Sequence, residues 1–235
     1  MGTMINLATS NMQCIGAYLA EPAHAPRGGI VVVQEIFGIN AHMRRVADGF
    51  ASHGYTAIAP ALFDHVENGL ELDYDEASKK KGIALVREIG LERAIEDVAS
   101  AAEAIASAGR IGCVGYCWGG TVALLAATRL GLPAVSYYGG RDLDFLDEPL
   151  RAPVQFHFGE RDRSISAEAI EQHRKAYPEC EVFTYPKAGH AFNRDVGDAW
   201  EPDSARLALE RTLAFFERNL AAAATDGRST PDSAR

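Results

Sequence analysis

The stretch RIGCVGYCWGGTVALLAA, residues 110–127, decides how the chain is read. An apolar run, Ile111–Val114, meets Gly115-Tyr116-Cys117-Trp118-Gly119-Gly120, and a second apolar run at helical spacing follows. Strand, tight turn and helix with a reactive side chain between two glycines make a nucleophile elbow, here with Cys in place of Ser. The spacing has a steric reason. Cys117 must take strained backbone angles, and side chains at 115 and 119 would collide with the neighbouring strand and helix. Such a turn lifts the sulfur above the sheet and aims it at a helix N-terminus, whose partial positive charge favours a thiolate or an oxyanion. On this stretch alone, a small buried Cys in a Gly-rich turn reads equally well.

Downstream residues separate the two readings. A strand over Val154–Phe158 ends in Gly159-Glu160-Arg161-Asp162, and a strand ending at Tyr185 is followed by Ala188-Gly189-His190-Ala191-Phe192. Nucleophile, acid and His, each just past the carboxyl end of a strand, is the chain order of the α/β-hydrolase triad. In an open α/β sheet those loops share one edge, where ligands bind. His190 is the expected base and Asp162 the carboxylate that orients it, with Glu160 as the alternative orienter.

Outward from these motifs, β-branched runs alternate with stretches at helical period, predicting a mostly parallel twisted sheet with helices on both faces. The predicted strands are Ile30–Val33, Thr56–Ala59, Ile111–Val114, Ala134–Tyr138, Val154–Phe158 and Val182–Tyr185. Asn40 caps a helix with Met43, Val46 and Phe50 on its inner face and Gly54 at its end. Leu91, Ile95, Val98, Ala102 and Ile105 keep one face of a second helix, and Ser166 caps a third, with Ile165 and Ile170 as a hydrophobic staple. Leu209, Leu213, Phe216 and Leu220 line the last. One domain over 1–220 is expected, with a polar tail over 221–235.

Composition narrows the function classes. The 235 residues carry 23 Lys and Arg against 32 Asp and Glu, a net charge of −9, so no general attraction to nucleic acid is expected. No apolar run reaches the ~20 residues that span a bilayer, and the first residues do not form a secretory signal, so the expected location is the cytoplasm. Cys14, Cys113, Cys117 and Cys180 lack the spacing of a disulfide scaffold or a C-x-x-C pair, and no Cys/His cluster has metal-ligand spacing. His157, mid-strand, reads as a satisfied core residue; His24, His42, His53, His65 and His173 read as exposed.

The chain resembles the dienelactone hydrolases (carboxymethylenebutenolidases) of the α/β-hydrolase fold, from about Gly16 to Leu220. The resemblance rests on Gln34-Glu35-Ile36-Phe37-Gly38, on the Cys117 elbow, on Ser136-Tyr137-Tyr138-Gly139 and on the His190 loop. It implies that Glu35 touches the resting thiol and yields to substrate; paired with Arg44 and Arg45 instead, it would be structural. It further implies an oxyanion hole from the backbone N–H groups of Ile36 and Trp118, and substrate binding by Arg194, Tyr138 and a cation within Lys79–Lys81, with Lys80 taken as that cation. Lys is a point charge where a planar fork is the family pattern, and Glu76–Ile89 lacks the aromatic expected there. Lys79–Lys81 would serve equally as a solvated helix face.

The expected activity is hydrolysis of a lactone or activated enol ester, bearing a carboxylate, through a thioester on Cys117 and without a cofactor. The alternatives are another elbow-Cys hydrolase (thioesterase, peptidase or amidase), a redox-sensing thiol protein, or a binding protein on the same fold. The expected assembly is a monomer or small homo-oligomer.

Overall fold

The computed structural model describes residues 1–10 and 12–221, so the expected tail lies, beyond Ala221, outside the described residues. Eight strands form one sheet: β1 (Thr3–Ala8), β2 (Cys14–Ala20), β3 (Gly29–Val33), β4 (Thr56–Pro60), β5 (Ile111–Tyr116), β6 (Ala134–Tyr137), β7 (Val154–Gly159) and β8 (Glu181–Tyr185). Their spatial order is β1-β2-β4-β3-β5-β6-β7-β8. β1 and β2 run antiparallel to their neighbours, and β4 through β8 are parallel. Every residue of β3, β4, β6 and β7 is buried, which is why β3 reads as an unbroken apolar run and the others as largely apolar ones. Together with its helices this is the α/β-hydrolase fold.

All the α-helices but α3 begin where a side chain satisfies one of the first free N–H groups. Asn40 accepts the Met43 N–H at the start of α1 (Ala41–Ser52), and Asp75 accepts that of Ser78 at the start of α2 (Glu76–Ala104). α3 (Trp118–Leu125) follows Cys117 directly. Ser166 caps α4 (Ala167–Ala176) and Glu201 caps α5 (Pro202–Leu220).

Several expectations are corrected. The sheet gains an N-terminal hairpin, β1–β2, because only Leu7 of β1 is buried and the strand shows little apolar alternation. The second helix starts fifteen residues earlier than Leu91 and bends at Gly90, whose φ of 74° interrupts it. On α5 the buried face is Ala208, Thr212, Phe215, Phe216 and Leu220, with Leu209 and Leu213 half-buried. Three histidines read as exposed have buried rings, each facing a carboxylate: His42 Nδ1 is 2.7 Å from Asp195, His65 Nε2 is 2.7 Å from Asp97, and His173 Nε2 is 3.4 Å from Asp142. His157 is a core residue as expected, with Gln155, Tyr185 and Thr212 around its ring.

In sequence order the sheet grows from β3 toward β4 on one side and toward β5 on the other. A crevice therefore opens past the carboxyl ends of β3 and β5, at the switch in direction.

Candidate active site

Cys117 occupies that crevice at φ 55° and ψ −117°, between the last residue of β5 and the first of α3. A Cβ on Gly115 would lie 1.7 Å from the Gly119 carbonyl oxygen, and one on Gly119 would lie 2.4 Å from the Gln34 oxygen. Neither position can carry a side chain while strand and helix keep this approach. Tyr138 (φ 42°) and Ala191 (φ 60°) also hold left-handed angles. Cys117, Tyr138 and Ala191 all border His190, so backbone strain is concentrated around one imidazole.

His190 Nε2 stands 3.1 Å from the Cys117 sulfur, and its Nδ1 stands 2.6 Å from Asp162 Oδ2. The other Asp162 oxygen accepts the Ser164 N–H at 2.7 Å. Burial draws the His190 pKa down, but hydrogen bonds to Asp162 and Cys117 outweigh it and raise the value to about 10. Three distant stretches thus meet in one line of sulfur, imidazole and carboxylate. Glu160 is exposed and outside this line.

Above the sulfur lies a cavity of about 790 Å³. Glu35, Ile36 and Trp118 border it beside Cys117, while Ile83 and Val86 of α2 supply apolar lining. Glu35 is buried, and its Oε2 has no hydrogen-bond partner among the described residues. Arg44 pairs with Glu71 and Arg45 with Asp195, so the structural salt bridge considered for Glu35 is not formed. The thiol faces His190, and no Glu35–Cys117 hydrogen bond is present among the described residues.

The residues expected to bind substrate do not all line the cavity. Arg194 lines the cavity, but Lys79 does so in place of Lys80, while Lys81 turns to Glu67. Helical spacing explains the change, because Lys79, Ile83 and Val86 share a face that Lys80 leaves by about 100°. Tyr138 does not reach the cavity; it is wholly buried behind His190, ring centroids 5.1 Å apart. Residues the sequence did not single out are Tyr74, Arg87 and Arg141, which also line the space. Tyr74 lies two residues ahead of Glu76–Ile89 and supplies an aromatic just outside the segment that lacks one. Its ring lies 4.2 Å beneath the Arg194 guanidinium.

Residues 15–220 match the Dienelactone hydrolase family. The chain belongs to that family. It is 33% identical to the carboxymethylenebutenolidase of Pseudomonas putida over 223 residues, covering 90% of this chain and 94% of that one. A carboxymethylenebutenolidase of Pseudomonas sp. (strain P51) is 33% identical over 214 residues, with coverage of 86% and 90%. Among solved structures, one from Klebsiella pneumoniae subsp. pneumoniae assigned as a dienelactone hydrolase superposes with a TM-score of 0.83 at 30% identity, covering 92% of this chain and 98% of that one. The dienelactone hydrolase from Anabaena variabilis, at 16% identity and a TM-score of 0.69, shares the fold. As a dienelactone hydrolase family member, the protein is a hydrolase acting on ester or lactone bonds.

Proposed function

We propose that this protein hydrolyses carboxylate-bearing lactones or activated enol esters through a thioester on Cys117. The observation that carries the reading is the line Cys117–His190–Asp162, with separations of 3.1 and 2.6 Å, at the base of a cavity edged by cations.

Imidazolium at His190 stabilises negative charge on the sulfur, and Asp162 holds the ring in orientation. The thiolate attacks the carbonyl carbon, and the developing oxyanion accepts the backbone N–H groups of Ile36 and Trp118. Collapse breaks the ester C–O bond, and the alkoxide or enolate leaves with the proton from His190. Water, deprotonated by the now neutral His190, attacks the thioester and releases the acid, returning the proton to His190 and the charge to sulfur. Thiolate departs readily from a tetrahedral centre, so a substrate with an enol leaving group suits Cys better than an alkyl ester does. Glu35 is assigned a place in the pocket wall beside Cys117, with Oε2 unpaired among the described residues; the sulfur already faces His190, so the contact with a resting thiol that the resemblance implies is not part of this reading.

Arg194 and Lys79 are assigned to the substrate carboxylate; the relatives are named for a butenolide carrying a carboxymethylene group. The activity requires no cofactor and suits the cytoplasm, where a thiol stays reduced. It also suits a monomer or small homo-oligomer, since one chain supplies every group named.

The test is turnover of chromogenic esters and lactones by wild type and Cys117→Ala, with intact-mass detection of the acyl-enzyme. Wild type should carry the acyl mass and the variant neither that mass nor activity. Equal rates would refute the thioester.

A further inference from the structure

Arg194 has a face free for a ligand. Its guanidinium lies over Tyr74 at 4.2 Å and Phe37 at 6.0 Å, its Nε donates to the Val196 carbonyl at 3.3 Å, and no carboxylate among the described residues pairs with it. This is unusual beside Asp195, the next residue in the chain, which could neutralise it.

Helix α1 prevents that. Arg45 grips Asp195 through Nε to Oδ2 and Nη2 to Oδ1, both at 2.7 Å, and His42 Nδ1 lies 2.7 Å from Oδ1. The His42 side chain is 2% exposed, and among the described residues its Nε2 has no partner and Asp195 takes the ring's one hydrogen bond. The same helix fixes the surface under the guanidinium, because its cap Asn40 donates from Nδ2 to the Tyr74 hydroxyl at 2.9 Å. Asn40, His42, Arg45 and Asp195 all lie outside the cavity lining. One helix start therefore holds both the Tyr74 ring and the residue that follows Arg194.

We propose that Asp195, clasped by His42 and Arg45, is a positioning residue for anion recognition: the clasp ties the 194–195 peptide to α1 and spends the aspartate's charge on Arg45 and His42. Arg194 is left over Tyr74 with its charge available to a substrate carboxylate. The inference rests on the reading of Arg194 as the anion-binding group and adds what sets its direction and charge. A clasp that only stabilised the loop would change neutral and anionic substrates alike.

The experiment compares two esters, para-nitrophenyl acetate and the mono-para-nitrophenyl ester of succinic acid, in wild type, Arg194→Ala, Asp195→Ala and Arg45→Met. Arg194→Ala should raise KM for the succinate ester relative to the acetate by about tenfold, the loss of one charge-assisted contact. Asp195→Ala and Arg45→Met should raise the same ratio by at least about threefold, with kcat on each ester within about twofold of wild type. If Arg194→Ala shifts the ratio and the other two do not, the clasp is overturned while the anion reading stands. If Arg194→Ala leaves the ratio unchanged, the anion reading fails and the clasp's role with it. Should Asp195→Ala fold poorly, Arg45→Met decides alone, since its side chain is 49% exposed and its loss opens no core space.

Discussion

Asp162 is within 2.6 Å of His190 Nδ1, and its side chain is completely shielded from solvent. A buried carboxylate in that position holds the proton on Nδ1, so the neutral ring left after the leaving group is protonated has Nε2 free to take a proton from water. Asp162→Asn keeps the shape but offers an amide N–H to the ring, which favours the opposite tautomer. We expect kcat on an activated ester to fall by about 10²–10⁴-fold, with the far-ultraviolet dichroism unchanged. A fall of less than about threefold would remove Asp162 from the mechanism.

The four cysteines should differ in reactivity. Cys113, within strand β5 four residues before Cys117, is fully buried, and burial pushes its thiol well above the ordinary range. Burial likewise pushes Cys180 up to about 11. Cys14 is exposed and has no imidazole partner among the described residues, whereas Cys117 has one at 3.1 Å. Substoichiometric iodoacetamide near neutral pH should label Cys117 first, with activity lost in proportion. Peptide mass mapping that finds Cys14 labelled first, at full activity, would contradict the ion pair.

The pH profile follows from His190. With its pKa raised to about 10, the ring stays protonated across the neutral range and can protonate the leaving group. The acylation step, read as kcat/KM, should hold through neutral pH and decline as pH rises through about 10. A decline centred near 6.5, the ordinary value for an imidazole, would mean that Asp162 and Cys117 do not act on the ring as described.

His157 predicts the acid limb of stability. It is completely buried, and burial, with a smaller contribution from the Arg211 charge, lowers its pKa to about 3. Between about 6.5 and 3 the unfolded chain therefore binds a proton that the native chain refuses, so stability falls as pH falls. Denaturant midpoints measured across that window should drop with acid in wild type. The drop should be shallower in His157→Gln by up to one proton's worth of slope; equal slopes would contradict a neutral buried ring.

Much of this arrangement was legible because it is local. Gly115 and Gly119 flank Cys117 for a steric reason that sequence spacing preserves, and buried parallel strands such as Gly29–Val33 show as unbroken apolar runs. Pairings across long stretches of chain were not legible. His42, His65 and His173 look like surface residues until folding brings Asp195, Asp97 and Asp142 to their rings. The choice of Lys79 over Lys80 depends on which face of α2 turns inward, and a run of three lysines carries no such phase. Tyr74 joins the wall through contacts from distant stretches, with Asn40 at its hydroxyl and Phe37 against its ring. The β1–β2 hairpin pairs at the rim of the sheet, where alternation is weak.

Gly82 of α2 sits where a Cβ would come within 1.9 Å of the Ile36 carbonyl oxygen. Helix α2, which lines the pocket through Ile83 and Val86, thus rests on the Ile36–Phe37 peptide of the same pocket with nothing but a hydrogen between them. Pocket width and the position of that peptide are therefore set by one contact: a bulkier residue at 82 would force α2 and the segment after β3 apart. Engineering for wider substrates is better directed at Ile83 and Val86, which face the void without bearing on that contact.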